Sequence, residues 1–253
     1  MEDKAMDKRT GLAMENASLR PLEEGVRVRS HSFGGAAVTD VLLDKSAAGR
    51  TGKPAGRYIT IEGEPDSNEV SVLLKKALLR FLPARGKLLV AGLGNPAVTH
   101  DSLGALTVRS VAPRKGACLE ITAFETDIAA RTGIETARIV SAVAGEIGAD
   151  CILAIDALAC SDISRIGKTV QITDAGIIPG SGAANRRTEI TRRTMGVPVV
   201  AVGAPTAAEL SSVTNRPRDG GYLISAGNVD IMTKIWAECI AEAINSIVGN
   251  AKQ

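Results

Sequence analysis

The apolar positions of this chain follow two different periodicities in alternation. Short runs of apolar and β-branched residues predict strands, and segments with helical spacing lie between them. The predicted strands cover residues 58–61, 87–91, 118–124, 151–155, 169–173 and 197–202. Because most of these runs are continuously apolar, we expect parallel strands that are buried on both faces.

Three segments carry the apolar spacing of amphipathic helices. The first follows Asp66 and Ser67, which are good N-cap residues, and the others cover residues 139–147 and 229–248. Residues 1–21 show no periodicity, and the stretches 34–37 and 47–56 suggest turns. The alternation predicts a three-layer α/β fold, with a largely parallel or mixed sheet and helices on both faces.

Composition narrows the possible functions. The chain has 253 residues, 45% of them apolar, which is enough for one large core. A net charge of +2 and an aromatic content of 2% argue against a nucleic-acid partner or an anionic membrane surface. The start of the chain is polar and its four cysteines have no CxxC spacing, so we expect a cytoplasmic protein with reduced thiols.

The candidate chemistry lies where two predicted strands end. Asp101 follows the strand 87–91, and Asp156 follows the strand 151–155. In parallel sheets, ligands collect at the carboxyl ends of the strands. Two such carboxylates can share a water, one as general base and one as general acid, and so hydrolyse an amide. Two alternatives stay open: a helix cap at Asp101 with a structural bond at Asp156, and ligation of a divalent metal.

Other catalytic motifs are weak or absent. Residues 92–97 formally fit the G-x-G-x-x-A dinucleotide pattern, but Pro96 and the turn-like residues after it do not open a helix. The two histidines form no HExxH motif, and no G-x-S-x-G elbow occurs. We therefore expect no cofactor and no dedicated metal site.

Several strings of residues, taken in order, resemble the germination protease family of spore-forming bacteria. They are 9–15 (RTGLAME), 92–104 (GLGNPAVTHDSLG), 132–136 (TGIET), 154–159 (AIDALA), 172–187 (ITDAGIIPGSGAANRR), 196–206 (GVPVVAVGAPT) and 222–225 (YLIS). The resemblance implies an atypical aspartic endopeptidase that degrades small acid-soluble spore proteins during germination. It also implies a homotetramer in the spore core, and a phosphorylase/hydrolase-like fold similar to hydrogenase-maturation peptidases.

The resemblance assigns the two functional aspartates to Asp101 and Asp156. Candidate substrate-binding residues lie in the same strings: Asn95, Asp174, Gly180, Gly182, Asn185 and Arg186. Glycines there would let a peptide backbone approach closely, although they could equally serve a tight turn. Two alternatives remain: a metal-dependent maturation-type peptidase of similar fold, and a peptidyl-tRNA hydrolase-like enzyme, because the Gly-Leu-Gly-Asn-Pro string also resembles that family's signature.

The resemblance also implies a zymogen whose short propeptide is removed. The corresponding bond here is Gly11–Leu12, which makes residues 1–11 a candidate propeptide and 12–253 a single peptidase domain. The family has an acidic residue at the position of Gly11. The family also has a proline at the position of His100, and a protonated imidazole beside Asp101 would favour the charged carboxylate.

Overall fold

A mixed nine-stranded β-sheet forms the centre of the computed structural model, which describes residues 10–15, 24–115, 118–179, 188–214, 216, 219 and 221–247. The strands are β1 (Val26–Phe33), β2 (Ala36–Leu43), β3 (Gly56–Glu62), β4 (Gly86–Gly92), β5 (Leu119–Glu125), β6 (Cys151–Cys160), β7 (Thr169–Thr173), β8 (Val199–Glu209) and β9 (Leu223–Ile224).

Helices and short 3₁₀ turns connect these strands. The helices are α1 (Lys45–Thr51), α2 (Asn68–Phe81), α3 (Leu103–Ser110), α4 (Ala129–Thr132), α5 (Thr136–Ile147), α6 (Arg192–Met195), α7 (Leu210–Thr214) and α8 (Val229–Ile247). The 3₁₀ turns are Ala13–Glu15, Thr99–Asp101 and Ile163–Arg165. None of the helices in the described ranges is long and apolar enough to cross a bilayer.

The sheet has a parallel half and an antiparallel half. Its strand order is β1-β2-β3-β7-β8-β6-β4-β5, with β9 paired to β8. Strands β8, β6, β4 and β5 run parallel, whereas β1, β2, β3 and β7 pair in antiparallel fashion. The prediction that 169–173 is a parallel strand is therefore wrong, because a buried apolar run does not encode strand direction.

Helices cover both faces of the sheet, which confirms the predicted α/β class. On β4, Leu88 and Val90 belong to one core cluster with residues of α2, α3 and α8. Leu89 and Ala91 belong to a second cluster, which includes Val140 of α5. Successive side chains of a strand point to opposite faces, so these two clusters are the two interlayer cores of a three-layer fold.

Local side-chain chemistry explains where several elements begin. Ser67 caps α2 by accepting a hydrogen bond from Val70 N at 3.3 Å, as predicted. Asp44 caps α1 by accepting from Ser46 N and Ala47 N. The stretch 47–56 therefore contains part of a helix and not only turns, and the cap explains why this glycine- and lysine-rich segment is helical.

Two central strands are longer than predicted. β6 continues to Cys160 and β8 to Glu209, because the two strands stay paired well beyond the end of β4. β4 pairs with β6 only as far as Ile155. Asp156 consequently lies inside a strand and not in a loop after it, at the point where β6 loses its β4 neighbour.

Candidate active site

A cavity of about 400 Å³ opens beyond the carboxyl end of β4 and beside the C-terminal half of β6. Asp101 and Asp156, the two aspartates selected from the sequence, both line it. Lys53 and His100 also contribute to the wall, so the cavity carries charges of both signs. The structure thus brings together the two carboxylates that the proposed acid–base chemistry requires.

Asp156 occupies a rigid and buried position. It lies in β6, paired with Gly203 of β8 and one residue beyond the last residue that pairs with β4, and only 4% of its surface is exposed. Its Oδ1 accepts a hydrogen bond from the neighbouring Ala157 N at 3.0 Å. The central strand therefore fixes the backbone of Asp156, and the carboxylate faces the cavity from the floor of the sheet.

Asp101 lies in the 3₁₀ turn before α3 and is only half-buried. Its Oδ2 accepts a hydrogen bond from Asn95 N at 2.8 Å, and its own N donates to Val98 O at 2.8 Å. The helix after Asp101 begins at Leu103, with Ser102 at the N-cap position, so its start lies one residue later than predicted. The two aspartates thus lie in different environments, which an acid–base pair requires.

Glycines make the close approach behind Asp101 possible. Gly94 has φ +94°, and a Cβ there would lie 2.2 Å from Asp101 O. A Cβ on Gly104 would lie 2.4 Å from the backbone N and O of Leu93. Leu93 N in turn donates to Ile155 O at 2.8 Å, so the loop that carries Asp101 rests directly on the strand that carries Asp156.

A transverse row of residues links the cavity floor to β7. Gly203 of β8 pairs with Asp156 on one side and with Gln171 of β7 on the other. Residues directly opposite in neighbouring strands point to the same face, so Gln171 and Asp156 share a face at a Cα separation of roughly 10 Å, two interstrand spacings. The Leu158 side chain packs over Gly203, where a Cβ would lie 2.6 Å from Leu158 Cγ.

Sequence reasoning missed Gln171, although one signal was present. Gln171 is a polar residue in the otherwise apolar and β-branched run 169–173, and it is buried, with 5% of its surface exposed. A buried amide needs hydrogen-bond partners, so its position in a strand pointed to a specific contact. The structure shows that contact with the N-terminal segment.

The segment Thr10–Glu15 lies along the cavity, and Thr10 and Gly11 contribute to its lining. Gly11 N donates to Ala159 O at 2.7 Å, and Lys53 Nζ donates to Thr10 O at 2.5 Å. Leu12, the other residue of the predicted cleavage bond, is fully buried. The Gly11–Leu12 bond therefore lies next to the end of β6.

Glu15 anchors the other end of this segment. Its side chain is 3% exposed, and its carboxylate accepts from Ser161 N at 2.7 Å and from Asp162 N at 3.1 Å. Arg165 Nε lies 3.1 Å from Glu15 Oε1, and Thr10 Oγ1 donates to the same carboxylate. The segment is thus held at both ends and not merely laid on the surface.

The other predicted substrate-binding residues divide into two groups. Asn95 and Asp174 are described, but neither lines the cavity: Asn95 Oδ1 accepts from Ala97 N, and Asp174 Oδ1 accepts from Arg57 N at 2.7 Å. The remaining predictions fall on residues outside the described ranges: Gly180, Gly182, Asn185 and Arg186.

Tyr58, which lines the cavity, has a protonated side chain. Burial, and secondarily the charge of Asp174, raises the pKa of Tyr58, so the phenol stays protonated and donates to Pro54 O at 2.7 Å. Across the described residues, His, Cys, Asp and Glu side chains form no group of three or more that could hold a metal ion. The chemistry that these described residues themselves offer is that of two carboxylates in one cavity.

Comparison with known proteins gives a consistent picture. A sequence profile described as germination protease matches residues 2–225. The germination protease of Bacillus licheniformis is 32% identical over 251 residues, with 85% of this chain and 68% of the relative covered. Those of Bacillus cereus (strain ATCC 10987) and Clostridium tetani are 34% and 36% identical, covering 76% and 83% of this chain and 59% and 73% of the relatives.

The chain therefore spans only part of these relatives, about 59% of the Bacillus cereus protein. A [NiFe] hydrogenase maturation protease, HycI from Thermococcus kodakarensis, shows a partial structural likeness. The TM-score is 0.43 at 17% identity, with 70% of this chain and 99% of that chain covered. The family match, and not this likeness, favours the germination-protease resemblance over a peptidyl-tRNA hydrolase or a maturation-type peptidase.

Proposed function

The chain belongs to the germination protease family, and we propose that it is an endopeptidase that cleaves peptide bonds with water activated between Asp101 and Asp156. One observation carries the proposal. Two carboxylates from separate elements, one buried and one half-buried, line a single cavity at the carboxyl ends of parallel strands. This is where an open α/β sheet collects its ligands.

The proposed reaction needs only these two groups and a water. One carboxylate accepts a proton as the water oxygen attacks the carbonyl carbon of the peptide. The other, protonated at the start, donates its proton to the leaving nitrogen as the C–N bond breaks. Unequal environments allow two carboxyl groups to hold one proton between them.

The substrate, the assembly and the maturation step are parts of the same proposal. We infer that small acid-soluble spore proteins are the substrates, that the chain acts as a homotetramer in the cytoplasm of the spore, and that residues 1–11 are a propeptide. The names of the relatives support the spore context. The position of the Gly11–Leu12 bond beside the cavity supports the maturation step.

Cleavage of a purified small acid-soluble spore protein tests the proposal. We expect full-length protein to cleave it, and Asp101→Asn and Asp156→Asn each to lose at least about a hundredfold in rate, the usual contribution of general acid–base groups. Activity that survives a chelator supports the two-aspartate reaction, whereas chelator-sensitive activity would make the aspartates metal ligands. Full activity in either variant would refute the proposal. N-terminal sequencing of the incubated protein tests cleavage after Gly11.

A further inference from the structure

We propose that the groove that holds Thr10–Ala13 is the substrate-binding groove and that Gln171 grips the substrate backbone in it. The inference rests on the proposed peptidase function. In the structure, the chain's own N-terminal segment occupies the groove. Its contacts to Ala159 and Gln171 are made by main-chain atoms, and the groove lies in the wall of the cavity that contains both aspartates.

The groove begins where β6 extends beyond its pairing with β4. Beyond Ile155, β6 keeps β8 on one side, and no described strand pairs with its other side. The register between β6 and β8 shifts between Leu158 and Ala159, and Ala159 O, just past this shift, accepts from Gly11 N at 2.7 Å. A peptide bound through such a main-chain hydrogen bond needs no particular side chain at that position.

The side-chain amide of Gln171 binds the main chain of this segment at two points. Its Nε2 donates to Gly11 O at 3.1 Å, and its Oε1 accepts from Ala13 N at 2.7 Å. A carboxamide has one donor group and one acceptor, so this side chain satisfies a carbonyl and an amide of the same peptide together. Such a contact recognises backbone, which suits a residue that must hold different sequences.

The hydrogen bond from Gln171 Nε2 is made to the predicted cleavage bond itself. Gly11 O is the carbonyl oxygen of the Gly11–Leu12 bond, which is the predicted maturation site. A donor placed on that oxygen stabilises the negative charge that develops when water attacks the carbonyl. Gln171 and Asp156 pair with Gly203 from opposite sides and share a sheet face, with the Leu158 side chain packed over Gly203 between them. The groove therefore lies on the same sheet face as the carboxylate.

The N-terminal segment lies close to β6 because residue 11 is a glycine. A Cβ on Gly11 would lie 3.0 Å from Leu158 Cβ and 3.2 Å from Ala159 O. A residue with a side chain must therefore lie a few tenths of an ångström farther from the strand. Glycine gives the internal segment the closest approach, so the segment competes with any peptide added in solution.

A binding experiment with full-length variants tests the inference without requiring cleavage. The probe is a fluorescent peptide with the sequence of residues 8–15. We expect Gly11→Val, which displaces the internal segment, to bind it at least tenfold more tightly than the unaltered chain does. Adding Gln171→Met should then weaken binding ten- to a hundredfold, the loss expected for two hydrogen bonds.

Thr60→Val is the matched control, because Thr60 pairs with Gln171 across the sheet, does not line the cavity, and its Oγ1 makes no hydrogen bond. It should leave peptide binding unchanged. Equal binding by the Gly11→Val chain with and without Gln171 would overturn the inference. If Gly11→Val does not fold, exchange of the Ala13 amide decides: Gln171→Met alone should speed it at least tenfold, and an unchanged rate would overturn the inference.

Kinetics separate gripping from a merely structural role. In the Gly11→Val chain, Gln171→Glu keeps an acceptor for the amide but loses the donor to the carbonyl. We expect kcat to fall about a hundredfold with a smaller change in KM. A change in KM alone would overturn the donor role. If Gln171 is needed for peptide binding but no spore protein is cleaved, the proposed peptidase function is refuted and the peptide-binding role of the groove is supported. If cleavage requires both aspartates but is unchanged by substitution of Gln171, the peptidase function is supported and the role of Gln171 is refuted.

Discussion

Replacing Gly104 by alanine should move Asp101 and expose how tightly the site is built. The new Cβ would lie 2.4 Å from Leu93 N and O and 2.5 Å from Ile155 O, all of them backbone atoms. Ordinary van der Waals contact begins at 3.4 Å, so α3 must shift by about 1 Å. Because the turn with Asp101 leads directly into α3, the carboxylate must move with the helix.

The Gly104→Ala substitution should lower both the free energy of unfolding and the rate of cleavage. Overpacking of this kind costs about 1–3 kcal/mol of the free energy of unfolding. A displacement of about 1 Å in a catalytic group can lower the rate about a hundredfold. Urea unfolding gives the first quantity, and cleavage of a small acid-soluble spore protein at equal folded concentration gives the second.

Gly145→Ala is the matched control, since it makes the same chemical change in a helix where the new Cβ meets nothing within 4 Å. Alanine there should raise stability by up to about 1 kcal/mol through helix propensity and leave activity unchanged. If Gly104→Ala behaves like Gly145→Ala in both assays, the close approach of α3 to the strand ends does not position Asp101, and the reasoning fails.

Three further predictions concern stability. Thr60→Val should raise the free energy of unfolding by about 1 kcal/mol, because it removes a buried hydroxyl without a hydrogen-bond partner, and a lower urea midpoint would contradict this. Glu15→Ala should lower it by about 1–3 kcal/mol, because two backbone N–H groups lose their acceptor; a urea midpoint equal to that of the parent chain would count against this anchor. Stability should also fall as the pH rises above 9 toward about 12. Burial raises the pKa of three thiols above the ordinary value of 9.0, so these thiols ionise first in the unfolded chain, which favours unfolding. Urea midpoints that stay constant from pH 8 to 10.5 would refute this. The thiols are Cys151, with a pKa of about 11, and Cys160 and Cys239, with pKa values of about 12.

Much of the fold could be predicted because burial on two faces leaves a strong periodic signal. The central strands and the helices α2, α5 and α8 fall where the apolar pattern places them. The hairpin of β1 and β2 is different. Most of β1 is exposed, so its sequence VRVRSHSF carries no continuous apolar run, and its pairing with β2 defines the strand. Strand direction is equally invisible, as β7 shows.

The residues of the candidate site could be predicted only where polar groups are concentrated in a short string. Asp101 and Asp156 each stand at the end of a predicted strand, so the general rule for α/β sheets found them. Gln171 contributes through a register that joins three strands distant in the chain, and its partner is the segment at Gly11. Such long-range pairing is set by the tertiary structure and leaves only the weak signal of a polar residue in a buried strand.

The placement of glycines connects these observations into one design. Gly94 and Gly104 let the loop with Asp101 rest on β4 and β6, and Gly203 makes room for the Leu158 side chain between Asp156 and Gln171. At each of these points a Cβ would meet backbone or a packed side chain at less than 3.0 Å. The absence of side chains at these positions therefore permits the close packing that brings the carboxylates to one cavity. Activity should accordingly be more sensitive to added methyl groups at these glycines than to the loss of exposed charges around the cavity.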